Sequence, residues 1–183
     1  MAKDSFKILV VDDDPIAREV VFSILSREGY AVISAMDGFE AIDLLRKDNF
    51  DLLITDLVMP GIDGIELIKS ALKINPDLAT VIITAFGTLD IALKAIDLGA
   101  FDYITKPFKI EEVIFLVMRC KRMINLQREN KHLRTILAYL LKNVINLAKL
   151  PPDILDRIEQ TGVLTEAEVK LYKKKIENGY GQA

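Results

Sequence analysis

A single cysteine, Cys120, and a single histidine, His132, set the first limits on this 183-residue chain. One cysteine cannot build an intrachain disulfide framework, and such scarcity fits a reducing compartment. One histidine argues against His-based metal sites and Ser-His catalysis. The net charge of −3 has no strong bias of either sign, so composition points to neither nucleic acid nor a membrane surface. No Gly-x-x-x-x-Gly-Lys-Ser/Thr phosphate loop is present, which argues against an ATPase module. Long apolar runs are missing too: the richest, Ile136 to Leu150, is broken by Lys142, Asn143, Asn146 and Lys149 and is too short to span a bilayer. Met1-Ala2-Lys3-Asp4-Ser5 leads into a strand without an export signal, so a cytoplasmic location is expected.

What the chain does have is a series of short apolar runs ending in polar residues. Phe50 to Gly61 is the stretch around which the others are arranged. Leu52, Leu53 and Ile54 are too few for a helix and too apolar for an exposed strand, so they read as a buried parallel strand that stops at Asp56. Lys7 to Val11 is a second run, ending in Asp12-Asp13-Asp14-Pro15. Asp14 is explained as a helix N-cap before a first-turn proline, whereas Asp12 and Asp13 have no such local reason. Thr80 to Ile83 ends at Thr84, and Asp102 to Thr105 ends at Lys106-Pro107. In an open parallel sheet ligands meet the carboxyl ends of strands. Asp12, Asp13, Asp56, Thr84 and Lys106 therefore gather at one crevice.

Helical segments separate the strands. Pro15 to about Glu28 carries Ile16, Val20, Val21, Ile24 and Leu25 on one face and is stopped by Gly29. Ala31 to Ala35 is a further strand, followed by a helix opening at Asp37-Gly38. Gly64 to Asn75 and Leu89 to Leu98 are the next helices, the last closed by Gly99. This repeated βαβ pattern predicts an α/β, doubly wound, five-stranded parallel sheet with helices on both faces.

Taken together, Val10-Val11-Asp12-Asp13-Asp14, Asp56 with Met59-Pro60-Gly61 and Asp63-Gly64, Thr84-Ala85, Gly99-Ala100, and Tyr103-Ile104-Thr105-Lys106-Pro107-Phe108 resemble the receiver domain of two-component response regulators. The wording is most similar to receivers of the nitrogen-regulatory type that precede activators of the alternative sigma factor. The resemblance covers about residues 5–120 and implies a flavodoxin-like strand order 2-1-3-4-5.

Three carboxylates in one crevice repel one another unless a cation is present, and a hard divalent ion with oxygen ligands, Mg²⁺, is the natural candidate. The resemblance implies that Asp13 and Asp56 ligate it directly, Asp12 through water, and Val58 by its main-chain carbonyl. It also implies that Asp56 accepts a phosphoryl group from the phosphohistidine of a sensor histidine kinase. Lys106 and the Thr84 hydroxyl would then bind phosphoryl oxygens, with Thr84 and Tyr103 as the switch pair and a cis bond at Lys106-Pro107. The apolar Val58, two residues after Asp56, leads us to expect a long-lived phosphoryl state. Beyond self-phosphorylation from a donor and slow autodephosphorylation, no enzyme activity is expected.

From Ile110 the pattern becomes one long helix. Leu126, Leu133, Leu140 and Leu147 recur at seven-residue intervals, with Met123, Asn130, Leu137 and Val144 in the other core slot. This is a parallel coiled-coil register with a buried polar residue, Asn130, favouring two strands, so a homodimer is expected. Arg119 marks where the seam fades into contact with the sheet. We divide the chain into a receiver at 1–120, a dimerisation helix at 121–150 and a small helical segment at 151–183. Pro151-Pro152 ends the long helix, and Thr165-Glu166-Ala167-Glu168 is a capping box opening the last one. Lys170, Lys173, Lys174 and Lys175 fall in its later turns, where compensation of the helix dipole and solvation are expected ahead of contact with nucleic acid. Leu150 to Thr165 is faintly similar to part of the HD-type phosphohydrolase output domains, but their metal-binding His-Asp pair is absent.

Two other classes compete. Aspartyl-nucleophile phosphatases use Asp-x-Asp, and Asp56-Leu57-Val58 lacks the second acid. A flavodoxin-like cofactor binder would need a Gly-rich phosphate loop after the first strand, which is missing. A transcriptional-activator reading applies only if the chain is the N-terminal part of something longer. The stimulus, the cognate kinase and the downstream partner are not named by the sequence.

Overall fold

In the computed structural model, the described residues are 6–85, 99–143, 154, 157–158 and 160–179. Strands β1 (Lys7–Val11), β2 (Ala31–Ala35), β3 (Leu52–Thr55), β4 (Ala79–Thr84) and β5 (Asp102–Thr105) form one sheet in the order β2-β1-β3-β4-β5. Every pairing is parallel, with Val11 opposite both Ala35 and Thr55, Thr55 opposite Ile82, and Thr84 opposite Thr105. The expected order is the observed one.

The pleat sends alternate residues to two cores. Leu9, Val11, Leu53 and Ile82 pack on one side with α2 (Gly38–Lys47) and α3 (Gly64–Ile74). Ile8, Val10, Leu52, Ile54, Val81 and Ile83 pack on the other with α1 (Pro15–Arg27) and the first part of α4 (Ile110–Asn143). The central strands β1, β3 and β4 are thus apolar on both faces, as their unbroken apolar runs require. Each of the first three helices starts at an aspartate: Asp14, Asp37 and Asp63 accept main-chain N–H groups from Ile16, Glu40 and Glu66. Gly29, at φ +81°, turns the chain out of α1.

The chain divides into two compact units, Met1–Ile124 and Asn125–Ala183. In the first, α4 buries Val113, Leu116, Val117, Cys120 and Ile124, a helical spacing that carries core packing past the boundary expected at 120. Arg119 ties this helix to the start of β5, pairing with Asp102 at 3.1 Å and lying over the Phe101 ring.

Along the rest of α4, Leu126, Leu133, Leu137 and Leu140 are exposed apolar residues, and the exposed Asn130 donates to the Leu126 carbonyl. Met123 is partly buried. In the second unit, helix α5 (Glu166–Gly179) opens with the expected capping box, Thr165 N–H and hydroxyl reaching Glu168 and Glu168 N–H returning to Thr165. Lys170 pairs with Glu166 one turn earlier. The expected helix at Leu89 to Leu98, the seam positions Val144 and Leu147, and the stop at Pro151-Pro152 lie outside the described residues.

Candidate phosphoryl-acceptor site

β1, β3, β4 and β5 all run in one direction, so their last residues meet at the same edge of the sheet. Asp12 follows β1, Asp56 follows β3, Thr84 ends β4 and Lys106 follows β5. Carboxylate oxygens of Asp12, Asp13 and Asp56 lie within 4.8 Å of one another. Lys106 Nζ spans two of them, donating to Asp12 Oδ2 at 2.6 Å and to Asp56 Oδ2 at 2.7 Å. The Lys106-Pro107 peptide is cis.

Asp56 is held on every side. Its N–H donates to the Val11 carbonyl, and its Oδ1 accepts the N–H groups of Leu57 at 2.5 Å and Val58 at 3.3 Å. Val58 itself turns an exposed side chain outward. Behind the loop, Gly64 sits so close that a Cβ there would overlap the Asp56 carbonyl oxygen and meet Leu57 Cα at 2.9 Å. Gly64 N–H closes the loop onto the Leu57 carbonyl. Glycine is required here by space.

Asp12 is buried and Asp13 exposed. Burial raises the Asp12 carboxyl above its ordinary range, more than the Lys106 ammonium lowers it. Burial would lower Lys106, but its hydrogen bonds to Asp12 and Asp56 outweigh that and raise it. Lys106 is therefore a firm ammonium. One expectation needs correction: Asp12 also has a local role, because its Oδ1 accepts the Asp14 N–H at 3.0 Å and shapes the turn into α1.

The donor set fits a hard divalent cation: three carboxylates, oxygen ligands only, two of them largely shielded from water. Thr84 is buried at the next strand end, where its carbonyl accepts the Lys106 N–H. Tyr103, one strand further out, is partly buried against the α2–α3 core. Sequence placed Asp12 and Lys106 at one crevice and Asp56 and Gly64 in one motif without showing their direct contacts, whereas no sequence pattern marked the contact of Arg18 with the Asp12 carbonyl.

The family model for the response regulator receiver domain matches residues 8–117. The chain belongs to the response regulator receiver family. This receiver is 37% identical over 107 residues to sporulation initiation phosphotransferase F of Bacillus subtilis, covering 58% of this chain and 86% of that protein. It is 40% identical over 110 residues to response regulator MprA of Mycobacterium tuberculosis, covering 60% of this chain and 48% of that one, so it spans about half the length of such relatives. Among solved structures, NtrX from Brucella abortus superposes with a TM-score of 0.68 at 34% identity, covering 72% of this chain and 30% of that one. Among the described residues, no helix is long and apolar enough to cross a membrane.

Proposed function

We propose that this receiver takes a phosphoryl group onto Asp56 from the phosphohistidine of a sensor histidine kinase and passes the signal on through a homodimer formed along α4. The observation that carries the first part is the convergence of Asp12, Asp13, Asp56 and Lys106 at one strand edge. An oxygen of the ionised Asp56 attacks phosphorus, an O–P bond forms, the P–N bond breaks, and its electron pair leaves with the imidazole. No general base is needed because the nucleophile is already an anion. The Leu57 and Val58 N–H groups hold the carboxylate in one orientation. Lys106 supplies positive charge where phosphoryl oxygens arrive, and Thr84 supplies a hydroxyl.

Mg²⁺ held by Asp12, Asp13, Asp56 and the Val58 carbonyl would neutralise charge on the phosphoryl oxygens. Its chemistry in this reading is Mg²⁺-dependent self-phosphorylation from a phosphodonor and slow autodephosphorylation, with no turnover of other substrates. Tyr103 and Thr84 would move together on phosphorylation. The apolar Val58 offers attacking water no hydrogen bond, so the acyl phosphate is long-lived.

Dimerisation is supported by the exposed Leu126, Leu133, Leu137 and Leu140, which fall on the two core slots of one heptad register. Label introduced from phosphoramidate tests the acceptor. It should be released by hydroxylamine, and reduction with tritiated borohydride, which expels the phosphate and leaves an alcohol in place of the carboxyl, should put tritium at position 56. Label that survives hydroxylamine would place the phosphoryl group on another side chain.

A further inference from the structure

Arg18, in the first turns of α1, is partly buried and donates from Nη1 to the main-chain carbonyl of Asp12 at 2.6 Å. That carbonyl lies just beyond the last residue of β1, and Arg18 is its donor in this part-buried turn, so without Arg18 the carbonyl would lose the protein contact that fixes its direction. The bond does more than fill an acceptor. The Asp12 carbonyl belongs to the planar peptide that joins Asp12 to Asp13, and orienting it orients both side chains.

Asp12 has additional anchors, since Oδ1 accepts from Asp14 and Oδ2 from Lys106. The exposed Asp13 carboxylate has no hydrogen-bond partner among the described residues and depends on its main chain for direction. The charged donor makes the bond to Asp12 stronger than a neutral one. Arg18 is in turn rooted in α1, its N–H bonded to the Asp14 carbonyl.

We propose that Arg18 is a positioning residue for the divalent-cation site, holding the Asp12–Asp13 peptide so that both carboxylates face the ion. This rests on the reading of Asp12, Asp13 and Asp56 as that site. The sign of the effect separates positioning from charge. A cation beside a metal site repels the metal, so if charge were all that mattered, removing Arg18 would tighten binding.

The experiment is a Mn²⁺ titration of the full chain, with free Mn²⁺ read by electron paramagnetic resonance. Arg18→Met keeps the apolar stem and removes the donor, and should weaken Mn²⁺ binding by about tenfold, the usual scale for a supporting contact. Its metal-free melting temperature should report a folded chain. Arg18→Lys, which keeps a charged donor, should recover most of the affinity. If Arg18→Met does not fold, Arg18→Gln makes the same test, because its amide is too short to reach the carbonyl. Binding by the folded Met or Gln variant that equals or exceeds that of the native chain would overturn the proposal. Failure of the native chain to bind Mn²⁺ would instead remove the metal reading, and the proposal with it.

Discussion

Lys106 Nζ donates to Asp12 Oδ2 at 2.6 Å across 94 residues of chain. The same ammonium reaches Asp56, so it holds together two carboxylates that a metal would also claim. Lys106→Ala should therefore act in opposite directions on two measurements. Without metal, the largely shielded carboxylates lose their cation, and stability should fall by about 1.5–3 kcal/mol in urea unfolding. Mg²⁺ should bind the variant more tightly than the native chain, as seen by calorimetry. Equal stability in metal-free buffer would contradict the bridge.

Gly64→Ala tests the floor of the site. The added Cβ would overlap the Asp56 carbonyl and press on Leu57, both backbone, so no side chain can move to relieve it. A loss of about 1–3 kcal/mol is expected, with slower phosphoryl acceptance because the loop that aims Asp56 must shift. Gly29→Ala is the control. It has open space around it but a φ of +81°, and should cost stability without slowing acceptance.

Cys120 is buried in the core between α4 and the sheet, and burial pushes its thiol up to about 12. The folded state thus prefers the neutral thiol. Its contribution to stability is complete below the ordinary thiol value of 9.0 and declines as pH rises from there toward about 12, by about 1.4 kcal/mol per pH unit. Urea midpoints of the native chain should fall faster in this window than those of Cys120→Ala. A thiol reagent at neutral pH should label Cys120 only on unfolding.

Leu126 and Leu133 are half or more exposed, at 50% and 62%. Replacing both with Asp should leave the fold of the receiver unchanged within about 0.5 kcal/mol, as surface changes do. It should convert a species of twice the chain mass, seen by light scattering, into a monomer. A native chain that is monomeric both with and without Mg²⁺ and beryllofluoride would rule out the seam.

The sheet was legible because its signals are local. Three strands buried on both faces read as unbroken apolar runs, aspartates open the first three helices and Gly29 closes the first, and the alternation of strands and helices fixes a parallel sheet. Asp12, Asp13, Asp56, Thr84 and Lys106 were legible for the same reason, since parallel strands bring their ends to one edge. What sequence could not reveal were contacts made only after folding. Arg18 looks like any helix-surface arginine, Gly64 like a helix-opening glycine, and the Lys106 bridge joins two carboxylates whose distances depend on the whole sheet. Ile124 was hidden for a different reason: it lies beside the seam, where the 3.6-residue core stripe continues past the start of the 3.5-residue one.

The most direct measurement is intact-mass spectrometry of the full chain after incubation with acetyl phosphate, with and without Mg²⁺, beside Asp56→Asn. The account predicts one added phosphoryl group on the native chain, dependent on Mg²⁺ and absent from the variant. The same mass increase on Asp56→Asn, or none on the native chain with Mg²⁺, would contradict it.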